Sequence, residues 1–372
     1  MTASGAGLTG PRGLTGLTGL TAERCRAQLL TGPPATTVTS VVRHLLAVQG
    51  QDPRGFRLSV RARSTGLTAA AVDQALSVDR SVLVSTLNRG TLHLVCAEDF
   101  WWLHALTTPP LAAASTRRLA QEKVPPDDAE RAVAEVVAAL AGGPMTRAQL
   151  RERVDRIGVR TEGQAHVHIL MAATLRGLIV RGPMLGADHA YVLTRDWLGA
   201  PPRLPDREVM LAELARRYLA GHSPASDRDL AKWSGLSLGD ARRGLSGVSG
   251  LLAERDDGLV SLAGPAAEDG GQDGGPGPLA LPPPRLHGSF DPLLHGWADR
   301  SFVLGATTGI VTSNGVFRPF ALVNGQAVAI WSLAAGKIRL APFAPLAEAD
   351  EAVLAADADA VLDYLGVRRP RA

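Results

Sequence analysis

The stretch SDRDLAKWSGLSLGDARRGL, residues 226–245, decides the fold. It places a capped helix carrying Leu230 before a turn at Gly235 and starts a second helix at Ser237, the pattern of a helix-turn-helix. A helical run, REVMLAELARRYLAGH (207–222), precedes it, and a strand-like run, LLAERDDGLVSLA (251–263), follows. Helices closed by a hairpin are the order of a winged helix, with the hairpin as the wing.

The same order recurs upstream. PMTRAQLRERV (144–154) is a capped helix, GQAHVHILMAATLRGLIVRGP (163–183) a longer helix turning into a strand, and YVLTRDWL (191–198) completes a hairpin. Earlier still, TAERCRAQLL (21–30) and TTVTSVVRHLLAVQ (36–49) have helical spacing, and TAAAVDQALS (68–77) is a helix with a threonine cap. Between them GFRLSVRAR (55–63) fits either a strand or a helix, with helix favoured. SVLVSTLNRGTLHLV (81–95) is two β-rich runs around Asn88-Arg89-Gly90, a hairpin. The units lie roughly sixty to eighty residues apart and share pattern rather than identity.

Other segments complete the division. Residues 1–20 repeat LTG with no helical or strand period, a disordered tail. GPAAEDGGQDGGPGPLALPPP (264–284) is a linker by composition. Beyond it, RSFVLGATTGIV (300–311), FRPFALVNGQAVAIWSL (317–333) and KIRLAPF (337–343) predict a β-meander, and EADEAVLAADADAVLDYLGV (348–367) a closing helix. The predicted class is α+β: winged helices over 21–135, 136–200 and 201–263, then a small C-terminal β-rich barrel or sheet with a terminal helix over 285–372.

Composition bounds the function. The chain has 372 residues, enough for several domains, with 45% hydrophobic and 20% charged residues, which describes a globular protein. No apolar run approaches the ~20 residues of a membrane span. The N-terminus lacks the basic and apolar regions of a signal peptide, so a cytoplasmic protein is expected. Cys25 and Cys96 show no metal-ligand spacing and fit buried small side chains better than a disulfide. A net charge of +3 does not by itself announce a nucleic-acid partner, but nearly all the basic residues are arginine, whose planar fork suits phosphate.

Most catalytic templates are absent: no GxSxG elbow, P-loop, HExxH, or GxGxxG after a strand. His166 and His168, two apart on a helix, point to different faces and make no metal site. His287 and His295 flank SFDPLL, but histidines at the edge of a β-domain are commoner than ligands; Asp291, Asp52 and Asp99 read better as turn caps than as catalytic acids. Two amides, Gln49 and Gln51, remain at the end of an apolar run. A glutamine has a donor and an acceptor but no useful pKa, so it can orient water without deprotonating it.

VVRHLLAVQGQDPRGFRLSVRARSTGL (41–67), NRGTLHLV (88–95), the helix-turn-helix above, SFDPLLHGWADRS (289–301) and FRPFALVNGQAVAIW (317–331) together resemble the bacterial winged-helix DNA glycosylases typified by the azinomycin-resistance glycosylase AlkZ. The resemblance runs from about Thr21 to the end in the family's order, the linker apart. It implies three tandem winged helices and a C-terminal β-rich domain in a C-shape around duplex DNA. It also implies a catalytic Gln-x-Gln, matched by Gln49-Gly50-Gln51, with glycine where the family commonly has a bulkier residue.

The implied chemistry suits neutral amides. Alkylation at guanine N7 makes the base cationic, so it leaves neutral without an acid; the enzyme then supplies a positioned water near C1′. No lysine nucleophile lies nearby, which points to a monofunctional enzyme without cofactor or metal. The partner is double-stranded DNA, bound by a monomer without obligate protein partners, in a cytoplasmic, nucleoid-associated setting. Arg54, Arg57, Arg61, Arg89, Arg242 and Arg243 are candidate phosphate contacts, and a hairpin around TSNGVFRPF would carry Arg318 towards a groove. The competing reading is a non-catalytic regulator that reads one operator and excises nothing.

Overall fold

The computed structural model describes residues 11–186, 188–263 and 279–367 and is mixed α and β. Helix α1 (Pro11–Ala27) begins inside the expected tail, of which residues 1–10 lie outside the described part. In α2 (Val38–Leu45) Thr37 caps the N-terminus, and Val38, Val41, Val42 and Leu45 are buried along one face. The helix stops before the apolar run does, because Leu46 turns to φ 64°. Val48–Gln49 then forms β1, so Gln49 sits in a strand rather than at a helix end. Asp52 caps α3 (Pro53–Arg61), with Pro53 in the first turn, which settles GFRLSVRAR as a helix. Next come α4 (Ala69–Ser77), capped by Thr68, and a hairpin of β2 (Val82–Leu87) and β3 (Thr91–Cys96) turning at Asn88–Gly90.

The middle of the chain holds α5 (Phe100–Thr107), α6 (Pro109–Gln121), α7 (Pro126–Leu140), α8 (Arg147–Arg156), α9 (Ala165–Leu175), β4 (Ile179–Leu185), β5 (Asp188–Leu193) and α10 (Thr194–Leu198). Helix α7 runs through the boundary expected at 135; its Ala132, Val133, Val136 and Leu140 pack with Leu150, Val154 and Ile169 of the following unit. The two hairpins do not stand apart. They join in one antiparallel sheet of order β1-β3-β2-β4-β5, the junction being the Val84–Arg181 pairing.

The 226–245 stretch folds as its caps dictate. After α11 (Arg207–His222), Ser226 forms a capping box with Asp229 at the start of α12 (Asp227–Ser234). Gly235 turns the chain at φ 76°, and Ser237 caps α13 (Leu238–Ser246). A short hairpin, β6 (Leu252–Glu254) with β7 (Val260–Leu262), closes this part. Of the expected linker, residues 264–278 lie outside the described part.

The C-terminal region is an open sheet, not a barrel. Its order is β11-β10-β9-β8, from β8 (Arg285–His287), β9 (Phe320–Val323), β10 (Gln326–Ala334) and β11 (Lys337–Pro342), followed by α15 (Glu348–Leu365). The run 300–311 is not a strand: Asp299 accepts from the Ser301 amide and a one-turn helix, α14 (Ser301–Leu304), forms instead. The order of packing also differs from beads on a string. One core joins Leu83 and Phe100 to Tyr218 and Trp233 and to Trp297 and Phe320, so the helix-turn-helix seats on both the first hairpin and the C-terminal region. Among the described residues no helix is long and apolar enough to cross a membrane.

Candidate active site

The site forms where β1 docks beside the first hairpin. Gln49 pairs across the sheet with His93, which in turn pairs with Ser85, so three polar residues line up over three strands. Gly50 donates its amide to Leu92 O at 2.7 Å and is pinned in the sheet. A Cβ at that position would lie 3.2 Å from Val84 Cγ1 and 3.3 Å from the His93 backbone, so glycine lets β1 pack closely on the hairpin. Gln49 is buried and Gln51 exposed, and Gln49 Nε2 donates to Gln51 Oε1. The next carboxylate, Asp52, is occupied in capping α3 through the Arg54 amide.

Gln51 opens on a cleft of about 190 Å³ between the first hairpin and α9, with Ser85, Thr91, Met171, Arg181 and Tyr191 on its walls. A second, more polar cleft of about 550 Å³ adjoins it, sharing Val167 and Arg181 and adding Arg147, Arg151 and His166. Arg181 stands at the junction, its guanidinium 4.2 Å from the Tyr191 ring centre. These arginines were not among the candidates from sequence. Only the Val84–Arg181 pairing, between residues far apart in the chain, brings Arg181 to Gln51.

The candidate arginines divide into distinct sets. Arg57 faces inward: it is buried, pairs with Asp73 and donates to Pro53 O, and so has no donor face to spare for a phosphate. Arg61 is likewise committed to Asp357, both side chains being 12% exposed. Arg89, a candidate phosphate contact at the hairpin tip, turns back to the carbonyls of Trp233 and Lys232 and to Gln49. Arg242 and Arg243 lie on the outside of α13 in surface ion pairs with Asp227 and with Asp240 and Glu208. Such pairs are weak enough for a phosphate to displace. Arg54 is half-buried near Gln51, and Arg318 is exposed between Ile310 and Phe320.

The electrostatics behind the amides are cationic and otherwise neutral. Burial, with Arg300 nearby, lowers the Arg89 guanidinium to about 10, so it stays charged at neutral pH. Burial first, and then Arg89, push His93 down to about 3 against the opposing pull of the Thr91 carbonyl. His295 is driven well below the ordinary histidine range by burial and then by Arg89, Arg300 and His93. Both imidazoles are therefore neutral and supply no acid at pH 7. Asp291 is a buried ion-pair partner of Arg63 as well as a turn cap, with no exposure to a cleft.

Among the described residues Cys96, Glu98 and Asp99 bring potential ligand atoms within 4.8 Å of one another. Arg43 and Arg217 already pair with the two carboxylates, and burial pushes the Cys96 thiol up to about 12, so the group is internally neutralised.

The fold is shared with a solved structure. The chain resembles the Streptomyces sahachiroi DNA glycosylase AlkZ in structure, with a TM-score of 0.72 and 22% identity over 95% of this chain and 97% of that one. No curated protein sequence matches. The sequence model of the family described as DNA glycosylase AlkZ-like matches residues 42–364, which span the paired amides, both clefts and the C-terminal sheet. The chain belongs to the AlkZ-like family of DNA glycosylases.

Proposed function

We propose that this glycosylase is monofunctional and hydrolyses the N-glycosidic bond of cationic N7-alkylguanines in double-stranded DNA, using a water held by Gln49 and Gln51. One observation carries the reading: among the described residues the cleft at Gln51 is lined by no carboxylate and no lysine, its charged group being Arg181. Such a cleft offers no acid for a poor leaving group and no amine for a Schiff base. It suits a base whose positive charge has already weakened the bond to the sugar. The continuation into the second, roomier cleft favours N7 adducts with bulky substituents.

In this reading the chain is built from three helix-plus-hairpin units, and it works as a monomer in the cytoplasm, at the nucleoid. Duplex DNA approaches along Arg147, Arg151 and Arg181, with Arg242, Arg243, Arg54 and Arg318 as outer contacts. The test is incubation with duplexes carrying N7-methylguanine or a bulky N7 adduct. Free modified base and an abasic site are expected, with little preference for flanking sequence. Binding to one operator with no base released would instead identify a regulator. For the cleft, Arg147→Ala/Arg181→Ala is expected to reduce the slope of log K against log salt by about 2, at ~0.9 per lost phosphate contact. An unchanged slope places the phosphate track elsewhere.

A further inference from the structure

The residue at the tip of the first hairpin turns inward. Arg89 holds a left-handed backbone, φ 57° and ψ 8°, which is unfavourable for any side chain with a Cβ unless the surroundings enforce it. The surroundings do. The turn of the helix-turn-helix presses on it at Gly235, where an added Cβ would lie 2.8 Å from Arg89 N and 3.1 Å from its Cα. Gly235 is thus needed twice, for its own positive φ and for the bare surface it gives the hairpin tip.

The side chain spans two elements that are distant in sequence. Arg89 Nη1 donates to the carbonyls of Trp233 and Lys232 at the C-terminal end of α12, where unsatisfied carbonyls and the negative end of the helix dipole favour a cation. Nη2 donates to Gln49 Oε1 at 3.3 Å. A guanidinium has donors and no acceptor, so the Gln49 atom facing it must be the oxygen. The Gln49 amide nitrogen is thereby directed at Gln51 Oε1, and the chain Arg89→Gln49→Gln51 has a single polarity. It leaves one lone pair of Gln51 Oε1 open to the cleft for a proton of the attacking water. Without Arg89 each amide could flip, and half of the orientations would offer water a donor where it needs an acceptor.

We propose that Arg89 is a positioning residue: anchored on the end of α12, it fixes the orientation of the Gln49 amide and through it that of Gln51. This rests on the glycosidic reading above. It makes the catalytic pair dependent on the seating of a helix-turn-helix whose sequence lies about 140 residues away, in keeping with the separation of Arg89 and Trp233.

The experiment compares wild type, Gln49→Ala, Arg89→Met, Arg89→Lys and Gly235→Ala. It follows single-turnover release of N7-methylguanine from duplex DNA, DNA affinity against salt, and the side-chain amide NMR signals of Gln49. Arg89→Met is expected to slow release about 10- to 100-fold, the range for losing a hydrogen bond to a charged group, with affinity and salt slope unchanged. Arg89→Lys recovers part of the rate, because an ammonium donates but cannot fork between both partners. Gly235→Ala shifts Arg89 and slows release in the same direction while removing no cation. The two Gln49 amide protons, distinct in wild type, broaden in Arg89→Met. An unchanged rate and unchanged amide signals in Arg89→Met would overturn the proposal, as would weaker binding with a salt slope reduced by about one, the mark of a phosphate contact. If wild type itself releases no base, the glycosidic reading falls and the positioning role with it, an outcome distinguishable because it appears before any variant is compared.

Discussion

Gln49→Ala and Gln51→Ala are each expected to slow single-turnover release of N7-methylguanine by about 100-fold, the scale of losing the alignment of a bound nucleophile. The double variant should be little worse than either single one, because two groups that hold one water act as a unit. For Gln49→Ala the loss should appear in the rate at saturating enzyme and not in DNA affinity, since Gln49 is buried beneath Gln51 and offers DNA no surface. Neither amide titrates, and the neighbouring His93 is already neutral above about 3, so the wild-type rate should be flat from about pH 6 to 8. A limb in that range would reveal a titrating base that the amides do not explain. Equal rates for wild type and both alanine variants would remove the pair from the mechanism.

What could be read from sequence was local chemistry, and what could not was long-range pairing. Ser226, Gly235 and Ser237 announce the helix-turn-helix because caps and a left-handed turn act within a few residues. Thr68 and Thr146 mark their helices for the same reason. The apolar spacing of 36–49 does not show where α2 stops, since the strand pairing of Val48 and Gln49 with Leu94 and His93 is what recruits them. Similarly, the short apolar run in 300–311, set off by turn signals, suggests a strand, yet the side chain of Asp299 starts a helical turn there. The three residues of β8, directly after the prolines, are too few to carry a period.

The arginines show the same limit more sharply. Arg57 and Arg61 share a helical face with Arg54, but their acids, Asp73 and Asp357, come from elsewhere in the chain, the second 296 residues on. No spacing rule anticipates such partners. Gln49 and Gln51 stand out in the sequence as uncharged amides, but a role for them was legible only through a resemblance carried by their neighbours, and the hydrogen bond from Arg89 to Gln49 joins residues 40 apart.

Asp291→Asn is expected to destabilise the fold by about 3–5 kcal/mol at pH 7, the cost of leaving one member of a buried ion pair without its partner. Arg63 and Asp291 are both fully buried and meet through two bonds, Nη1 to Oδ2 at 3.0 Å and Nη2 to Oδ1 at 2.8 Å. Gln28 Oε1 and Ser59 O accept further guanidinium protons, while His287 and the Leu293 amide reach the carboxylate. The network ties the segment after α3 to the start of the C-terminal region. Burial alone would raise the Asp291 carboxyl, but Arg63 and His287 outweigh it and hold the group below the usual carboxylate range. The unfolded chain therefore takes up the proton first, at about pH 4, and the contribution of the pair, complete above that, declines as pH falls further. Urea unfolding at pH 7 and near pH 3 should show wild type losing about 1 kcal/mol of this increment over the one pH unit below the unfolded pKa, and Asp291→Asn lacking it throughout. Arg63→Met/Asp291→Leu should recover much of the loss at pH 7, because apolar side chains of similar size leave no charge stranded. If the double variant were as unstable as the single one, the attraction within the pair, rather than the burial of an orphaned charge, would be what holds this junction.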